Sequence, residues 1–357
     1  MRILISGTCA PALNSNYGLI KAITIGFQKL NEPEVQLVTI DKIPEEIINW
    51  RPHLTLLVGG LALETIPLSL VHYLCKRAKS MLVFWSLEDP YEIDWVIQKG
   101  AYFDLICTTD FSSHCFYPGE WNIKHLPLAA PDEPPPEPGK RIQPFNRWLF
   151  CGVPFQNRIH WIEAIQRTHP DGLLIGPEWP KYNQPTRVSN RRISRKMLLT
   201  LYRTMPITLY IGRRHNLANN AKINPSTPGP RLFEAAGCGA AQLVCDSSLE
   251  IGCYYEPNKE FLWARNIDEA NEFLQRALKE PDMLELLGQQ AWKRTQAEHL
   301  YSHRAKKIIF ILHIKLSSFY LSDSLLHSSS EGKIQFTYSF RREDSLWLIG
   351  KTKIIFS

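Results

Sequence analysis

The sequence predicts an α/β fold of two Rossmann-like domains facing across a cleft, and three observations predict it. Through the first 130 residues, short β-branched or Leu-rich runs alternate with longer amphipathic ones, the pattern of βα units around a parallel sheet. From Pro131 the chain reads Pro-Asp-Glu-Pro-Pro-Pro-Glu-Pro-Gly-Lys-Arg, and so many prolines exclude helix or central strand. A second alternating series begins at Trp148. The 357 residues suit two domains at roughly 150 residues each. The expected boundaries are 1–130 for the first domain, 131–146 for a linker, 147–312 for the second domain and 313–357 for an atypical tail.

In the first domain the expected strands are Arg2 to Ser6, Val35 to Asp41, Leu54 to Val58, Met81 to Ser86, Leu105 to Thr108 and Lys124 to Leu128, with helices over Tyr17 to Leu30 and Thr65 to Lys79. All but the second lead into Gly, Pro, Asp or Ser, which turn the chain at the carboxyl edge where open α/β sheets bind ligands. The second domain offers strands Trp148 to Cys151, Leu173 to Ile175, Ile207 to Ile211 and Gln242 to Cys245, with helices near Arg158 to Thr168, Ser194 to Thr204 and Arg231 to Gly237. Three helical segments close it: Asp268 to Lys279, Pro281 to Glu298 and Ser302 to Leu312. After His313 the helical period stops and Ser-rich text takes over.

Apolar residues make up 44% and charged residues 21%, which excludes a disordered chain and a coiled coil. The net charge of +6 suits an anionic small ligand as readily as nucleic acid or a membrane surface. The basic run Arg187, Arg191, Arg192, Arg195, Lys196 reads as the solvated face of a helix whose other face is Met197, Leu198, Leu199 and Leu201, so no nucleic-acid partner is expected. The eight cysteines form no CxxC pair and have no His at zinc spacing, and read as reduced core thiols. The start lacks a signal-peptide pattern, and no run approaches roughly 18 apolar residues. A cytoplasmic protein without a membrane span is expected.

The most specific segment is Lys222-Ile-Asn-Pro-Ser-Thr-Pro-Gly-Pro-Arg-Leu-Phe-Glu-Ala-Ala-Gly-Cys-Gly-Ala. A polar loop leads into a short helix that opens with Pro230 or Arg231 in its first turn. Amide groups and the helix dipole at that end attract phosphate, Arg231 adds a fork of donors, and Glu234 one turn in suits two ribose hydroxyls. The same pattern also fits an ordinary helix-start acid in a closely packed helix.

This segment, followed by a strand and later by Ala297-Glu-His-Leu-Tyr-Ser-His-Arg, resembles the carboxyl-terminal domain of the CgeB-like (spore maturation) glycosyltransferases, within the group 1 enzymes of GT-B fold. Trp148-Leu-Phe-Cys-Gly-Val with Arg158, Leu174-Ile-Gly-Pro-Glu-Trp, Phe84-Trp-Ser-Leu-Glu-Asp-Pro-Tyr and Asp104-Leu-Ile-Cys-Thr-Thr-Asp support it. The resemblance covers residues 1 to 312 and implies an acceptor-binding first domain and a donor-binding second one. It implies a nucleotide-sugar donor held by Glu234, Arg231, Phe233, Arg158, Gly152 and Trp179, an unidentified acceptor (glycan, protein or small molecule), and a retaining outcome. The wider group places another acid eight positions before the ribose-binding Glu, where this chain has Ser226. The CgeB-like branch favours Asn near this loop, which makes Asn224 a substitute candidate for catalysis.

No Asp-x-Asp occurs, which points away from metal-assisted neutralisation of the leaving diphosphate, and no cofactor is expected. Glu88 and Asp89 follow the strand Met81 to Ser86, and either fits a general base facing the acceptor. Asp89 also fits the cap of a helix beginning at Pro90. Trp179 fits either the border of a nucleotide base or a core plug. A non-catalytic nucleotide- or glycan-binding protein of the same fold is the alternative that Ser226 and the tail favour.

Overall fold

The computed structural model describes residues 1–13, 16–62, 67–132, 147–182, 186–246 and 250–312. Most of the expected linker, 133–146, and the whole expected tail, 313–357, lie outside the described residues. The chain divides into a compact unit, Met1–Ile309, and a second unit, Phe310–Ser357. The larger unit holds two six-stranded sheets, and every pairing in them is parallel.

The first sheet consists of β1 (Arg2–Gly7), β2 (Glu34–Leu37), β3 (Leu54–Gly59), β4 (Met81–Ser86), β5 (Leu105–Thr108) and β6 (Ile123–His125), in the order β2-β1-β3-β4-β5-β6. Helices α1 (Tyr17–Gln28), α2 (Ile43–Trp50), α3 (Leu68–Ala78) and α4 (Ile93–Lys99) connect it. Every residue of β3 is buried, as a parallel sheet covered on both faces requires. The second sheet holds β7 (Trp148–Cys151), β8 (Gly172–Ile175), β9 (Arg187–Ser189), β10 (Ile207–Tyr210), β11 (Gln242–Cys245) and β12 (Leu262–Ala264), in the order β12-β11-β10-β7-β8-β9. Its helices are α5 (Gln156–Thr168), α6 (Arg195–Thr204), α7 (Pro230–Gly237), α8 (Ile267–Ala277) and α9 (Pro281–Glu298). Alternate strand residues serve opposite layers. Trp148, Leu209 and Leu243 pack with Ile162 of α5 and Leu274 of α8. Leu149 packs with Leu198 of α6 and Ala235 of α7, while Tyr210 and Val244 pack with Leu232 and Phe233 of α7.

Several elements differ from the sequence reading. The strand expected to run to Asp41 ends at Leu37, because a 3₁₀ turn over Ile40–Lys42 leads directly into α2. The short elements α4, β9 and β12 carry too few residues to show a period. Arg187 lies in β9, and α6 starts only at Arg195 behind the Ser194 cap, whose Oγ accepts from the Met197 amide. The basic run is therefore not one helical face. Cys115 and Cys253 are exposed, unlike the five buried thiols Cys9, Cys75, Cys107, Cys238 and Cys245.

A last helix over 301–312 returns to the first sheet. A Cβ on Gly26 of α1 would lie 2.6 Å from the Tyr301 backbone, so glycine is required for that approach. Arg304, 2% exposed, donates to the carbonyls of Pro127, Leu128 and Glu298. Three carbonyl acceptors and the Phe233 ring beneath it make the buried charge tolerable. No helix among the described residues is long and apolar enough to cross a membrane.

Candidate functional site

In the second sheet the chain leaves β7 toward β8 and leaves β10 toward β11, on opposite sides. The carboxyl ends of β7 and β10 thus form the switch point at which open parallel sheets take their ligands. Arg158, in the first turns of α5, spans it: Nε donates to the Ile211 carbonyl at 3.1 Å and Nη1 to that of Val153 at 3.1 Å. Its guanidinium lies over the rings of Phe150 and Phe155, and burial lowers its pKa to about 10. Across the same narrow cavity stands Arg231, together with Cys151, Tyr202 and Tyr210. Arg231 Nη1 donates to Glu234 Oε2 at 2.6 Å, and this carboxylate raises the Arg231 pKa. Glu234 is buried. The structure therefore brings Arg158, Arg231 and Glu234 together, with the two guanidiniums lining one cavity.

The remaining second-domain candidates behave differently. The Gly152 amide is taken by the Ile175 carbonyl, and its own carbonyl accepts from Trp179 Nε1 at 2.8 Å. Trp179 is 2% exposed and stands edge-on to Phe150. It is a core plug that fixes the Gly152 turn rather than a platform for a base. Gly176, at φ +149°, admits this packing, since a Cβ there would lie 2.0 Å from the Gly152 carbonyl oxygen. Phe233 faces Tyr254, Tyr255 and His299 and does not line the cavity of Arg158 and Arg231, because it sits one residue from Glu234 on a helix whose successive side chains diverge. Asn224 is exposed.

On the first sheet, Asp89 is buried. Ser86 Oγ, Thr108 Oγ1 and Tyr117 OH all donate to its carboxylate, while burial raises its pKa to about 6. Its oxygens are committed to this network, so it is neither an available base nor a helix cap; α4 starts at Ile93 behind Glu92. Glu88 does face the second domain: Oε2 pairs with Arg213 Nη2 at 2.5 Å and Oε1 accepts from Asn16 at 2.7 Å. Beside it Glu92 is 8% exposed, with Oε2 buried and without a hydrogen-bond partner. Burial and the charge of Glu88 raise the Glu92 pKa to about 7. Gly60 makes room for it, since a Cβ there would lie 2.3 Å from Glu92 Oε2.

Ser226, at the position of the missing acid, is held by a carboxylate from the other sheet. Asp110 Oδ1 accepts from the amides of Ser226 at 2.8 Å and Thr227 at 3.0 Å, while Oδ2 accepts from the Ser113 amide and hydroxyl. Thr227 Oγ1 accepts from the Phe111 amide, donates to Glu250 and lies 3.1 Å from His125 Nε2. Burial, with Arg304 nearby, lowers the His125 pKa to about 4, so the ring is neutral.

Arg213, Asp110 and Glu92 were not expected from the sequence. Arg213 had a signal, an Arg-Arg pair directly after the strand that ends at the switch point. Asp110 closes the stretch Asp104-Leu-Ile-Cys-Thr-Thr-Asp, but its hold on the Ser226 and Thr227 amides has no local signal, because those amides lie on a distant segment. Glu92 has no sequence signal at all. Among the described residues no group of three or more His, Cys, Asp or Glu is placed to hold a metal ion.

Residues 158–309 match the model of a family described as glycosyl transferase-like. No curated protein matches the chain. Among solved structures, Alr3699/HepE of Anabaena in complex with UDP-glucose is similar, with TM-score 0.58 and 10% identity over 89% of this chain and 100% of that one. A Listeria monocytogenes protein assigned as a UDP-N-acetylglucosamine 2-epimerase gives TM-score 0.51 and 11% identity over 88% and 97%. At these identities the likeness is one of fold. The chain has the two-sheet α/β architecture of the GT-B fold, as the sequence predicts, and its second half carries a glycosyl transferase-like domain.

Proposed function

We propose that the chain is a glycosyltransferase of the CgeB-like branch that moves a sugar from a nucleotide donor to an acceptor hydroxyl, with retention and without a metal ion. The single observation that carries this reading is the convergence of Arg158 and Arg231 on one cavity at the β7/β10 switch point, with Glu234 beside Arg231. In the transfer, the bond from the anomeric carbon to the diphosphate oxygen breaks and a bond to the acceptor oxygen forms. The departing diphosphate gains charge, and two guanidiniums placed beforehand meet that need. Glu234 takes the ribose hydroxyls. With retention the acceptor approaches on the side of the leaving group, so the diphosphate oxygen receives the hydroxyl proton and no protein base is required. The engagement of both Asp89 oxygens by hydroxyl donors is compatible with that course. The donors named for the similar structures, UDP-glucose and UDP-N-acetylglucosamine, make UDP the first nucleotide to test.

Thermal shift against UDP, GDP, ADP and TDP and their sugars tests the reading. A ligand at 100 times its dissociation constant adds roughly 2.7 kcal/mol to stability, and one nucleotide is expected to do so. No shift with any of them would overturn the donor assignment. Transfer is expected to persist in EDTA, and complete loss restored by manganese or magnesium would sink the metal-free course.

A further inference from the structure

A second cavity opens in the second domain, on the layer of the sheet opposite Glu234. It encloses about 470 Å³ and is lined by Gln156, Asn157, His160, Trp161, Arg214, Asp246 and Arg265. Asp246 and Arg265 directly follow β11 and β12, and the other lining residues come from the start of α5 and the loop after β10. α5 belongs to the layer of α8, whereas α7, which bears Arg231 and Glu234, packs on the opposite layer. The cavity shares no lining residue with the crevice spanned by Arg158 and is separate from it.

Its chemistry has three parts. Arg214 and Arg265 supply two guanidiniums against the one carboxylate of Asp246, which lies 3.3 Å from Arg214 Nη2. No carboxylate among the described residues pairs with the Arg265 side chain, and the first turn of α5 contains no acid. Asp268 and Glu269 stand in the first turn of α8, where Glu269 accepts from the Arg265 amide at 2.8 Å, but the lining itself holds two guanidiniums against one carboxylate, a balance that suits a phosphate. Asn157 donates through Nδ2 to the Gly212 carbonyl at 2.8 Å, whereas its Oδ1 is buried with no partner. A buried acceptor left over in this way calls for a donor, such as a ligand hydroxyl. Trp161, partly buried against the core, adds an aromatic ring to the wall.

We propose that this cavity is a second ligand site, which takes a phosphorylated sugar: phosphate to Arg265 and Arg214, a hydroxyl to Asn157 Oδ1, and the sugar ring against Trp161. The site stands whether or not the crevice at Arg158 takes a nucleotide.

Isothermal titration calorimetry of the full chain with glucose 6-phosphate, inorganic phosphate and glucose tests it. Glucose 6-phosphate is expected to bind saturably and more tightly than inorganic phosphate, with glucose weakest. Arg265→Gln should weaken glucose 6-phosphate at least tenfold and Arg265→Lys less, because a lysine keeps the charge but loses the fork. Trp161→Leu should weaken the sugar phosphate and leave inorganic phosphate unchanged. Arg158→Ala should change neither by more than about twofold. Equal affinity for both phosphates would overturn the sugar assignment, and so would an unaffected Trp161→Leu variant that remains folded. Absence of saturable binding, wild-type affinity in Arg265→Gln, or an equal loss in Arg158→Ala would overturn the site itself.

Discussion

The two sheets present opposite chemistry at their carboxyl edges. The first edge carries carboxylates: Glu88, Asp89, Glu92 and Asp110 follow β4 and β5. The second carries guanidiniums: Arg158, Arg213, Arg214 and Arg231 follow β7 and β10. Yet the acids are not equivalent. Asp89 and Asp110 are committed to hydrogen-bond networks that hold the chain, Glu88 pairs with Arg213, and Glu92 is buried beside it with one oxygen unpartnered. The basic edge suits an anionic leaving group, while two acids of the other edge, Glu88 and Asp110, hold segments of the basic one. Proximity to a strand end is thus a poor guide to which carboxylate does chemistry, and hydrogen-bond partners are the better one.

The largest expected effect is at Asp110, the carboxylate that holds the Ser226–Thr227 amides across the two edges. Asp110→Ala leaves buried donors without an acceptor, each costing about 1–3 kcal/mol. A loss of about 3–5 kcal/mol is expected, seen as a melting temperature lower by at least roughly 6 °C. A drop below about 2 °C would mean that the edges are held by other contacts. Next come Arg158→Ala and Glu234→Gln, each removing a charge-assisted hydrogen bond of about 1.5–3 kcal/mol. Nucleotide-sugar affinity or turnover should fall at least roughly tenfold in each, and donor binding at wild-type strength in Glu234→Gln would remove the ribose assignment.

The asymmetry between the edges was only half legible in the sequence. Strand runs with turn residues at their ends revealed both sheets, because parallel strands buried on two faces leave near-continuous apolar text. The second edge was readable for the same local reason: Arg231 and Glu234 lie three apart on one helix, and Arg158 follows its strand within seven residues. The first edge was not. Glu88 and Asp89 are adjacent in sequence, yet one faces Arg213 and the other turns to Thr108 and Tyr117, a divergence set by distant partners. Motif neighbours point Phe233 to the site and leave Trp179 open between a base platform and a core plug, whereas packing sends both into cores.

A third prediction sharpens the acidic side. Glu92 is held near pKa 7, above its ordinary value of 4.5. Between those values the folded chain keeps a proton that the unfolded chain has lost, so this group lowers stability as pH rises through that window. Below it the cost is absent; above it the cost is complete. Glu92→Gln should flatten the decline in denaturant-measured stability from pH 5 to pH 8 and leave the variant about 1–3 kcal/mol ahead of wild type at pH 8. A residual slope of the same sign belongs to Asp89, whose pKa is also raised, to about 6. A variant with the full wild-type slope would show that Glu92 titrates normally.

The smallest expected effect concerns the direct pair between the edges. Glu88 and Arg213 meet at 2.5 Å with side chains 19% and 28% exposed, and the guanidinium also lies 3.6 Å from the centre of the Tyr91 ring. Such a half-buried pair is worth about 1 kcal/mol once desolvation and solvent screening are counted. A double-mutant cycle with Glu88→Gln and Arg213→Gln isolates it, because the stacking on Tyr91 is lost with Arg213 alone and cancels from the coupling. The coupling should be about 0.5–1.5 kcal/mol at low salt and shrink as ionic strength rises. If Glu88 also hydrogen-bonds the acceptor, Glu88→Gln should raise the acceptor KM while leaving nucleotide affinity within about twofold. A coupling near zero together with an unchanged acceptor KM would leave Glu88 without a role in joining the edges or binding the acceptor, and Asp110, through the Ser226 and Thr227 amides, would be the carboxylate that joins the acidic edge to the other sheet.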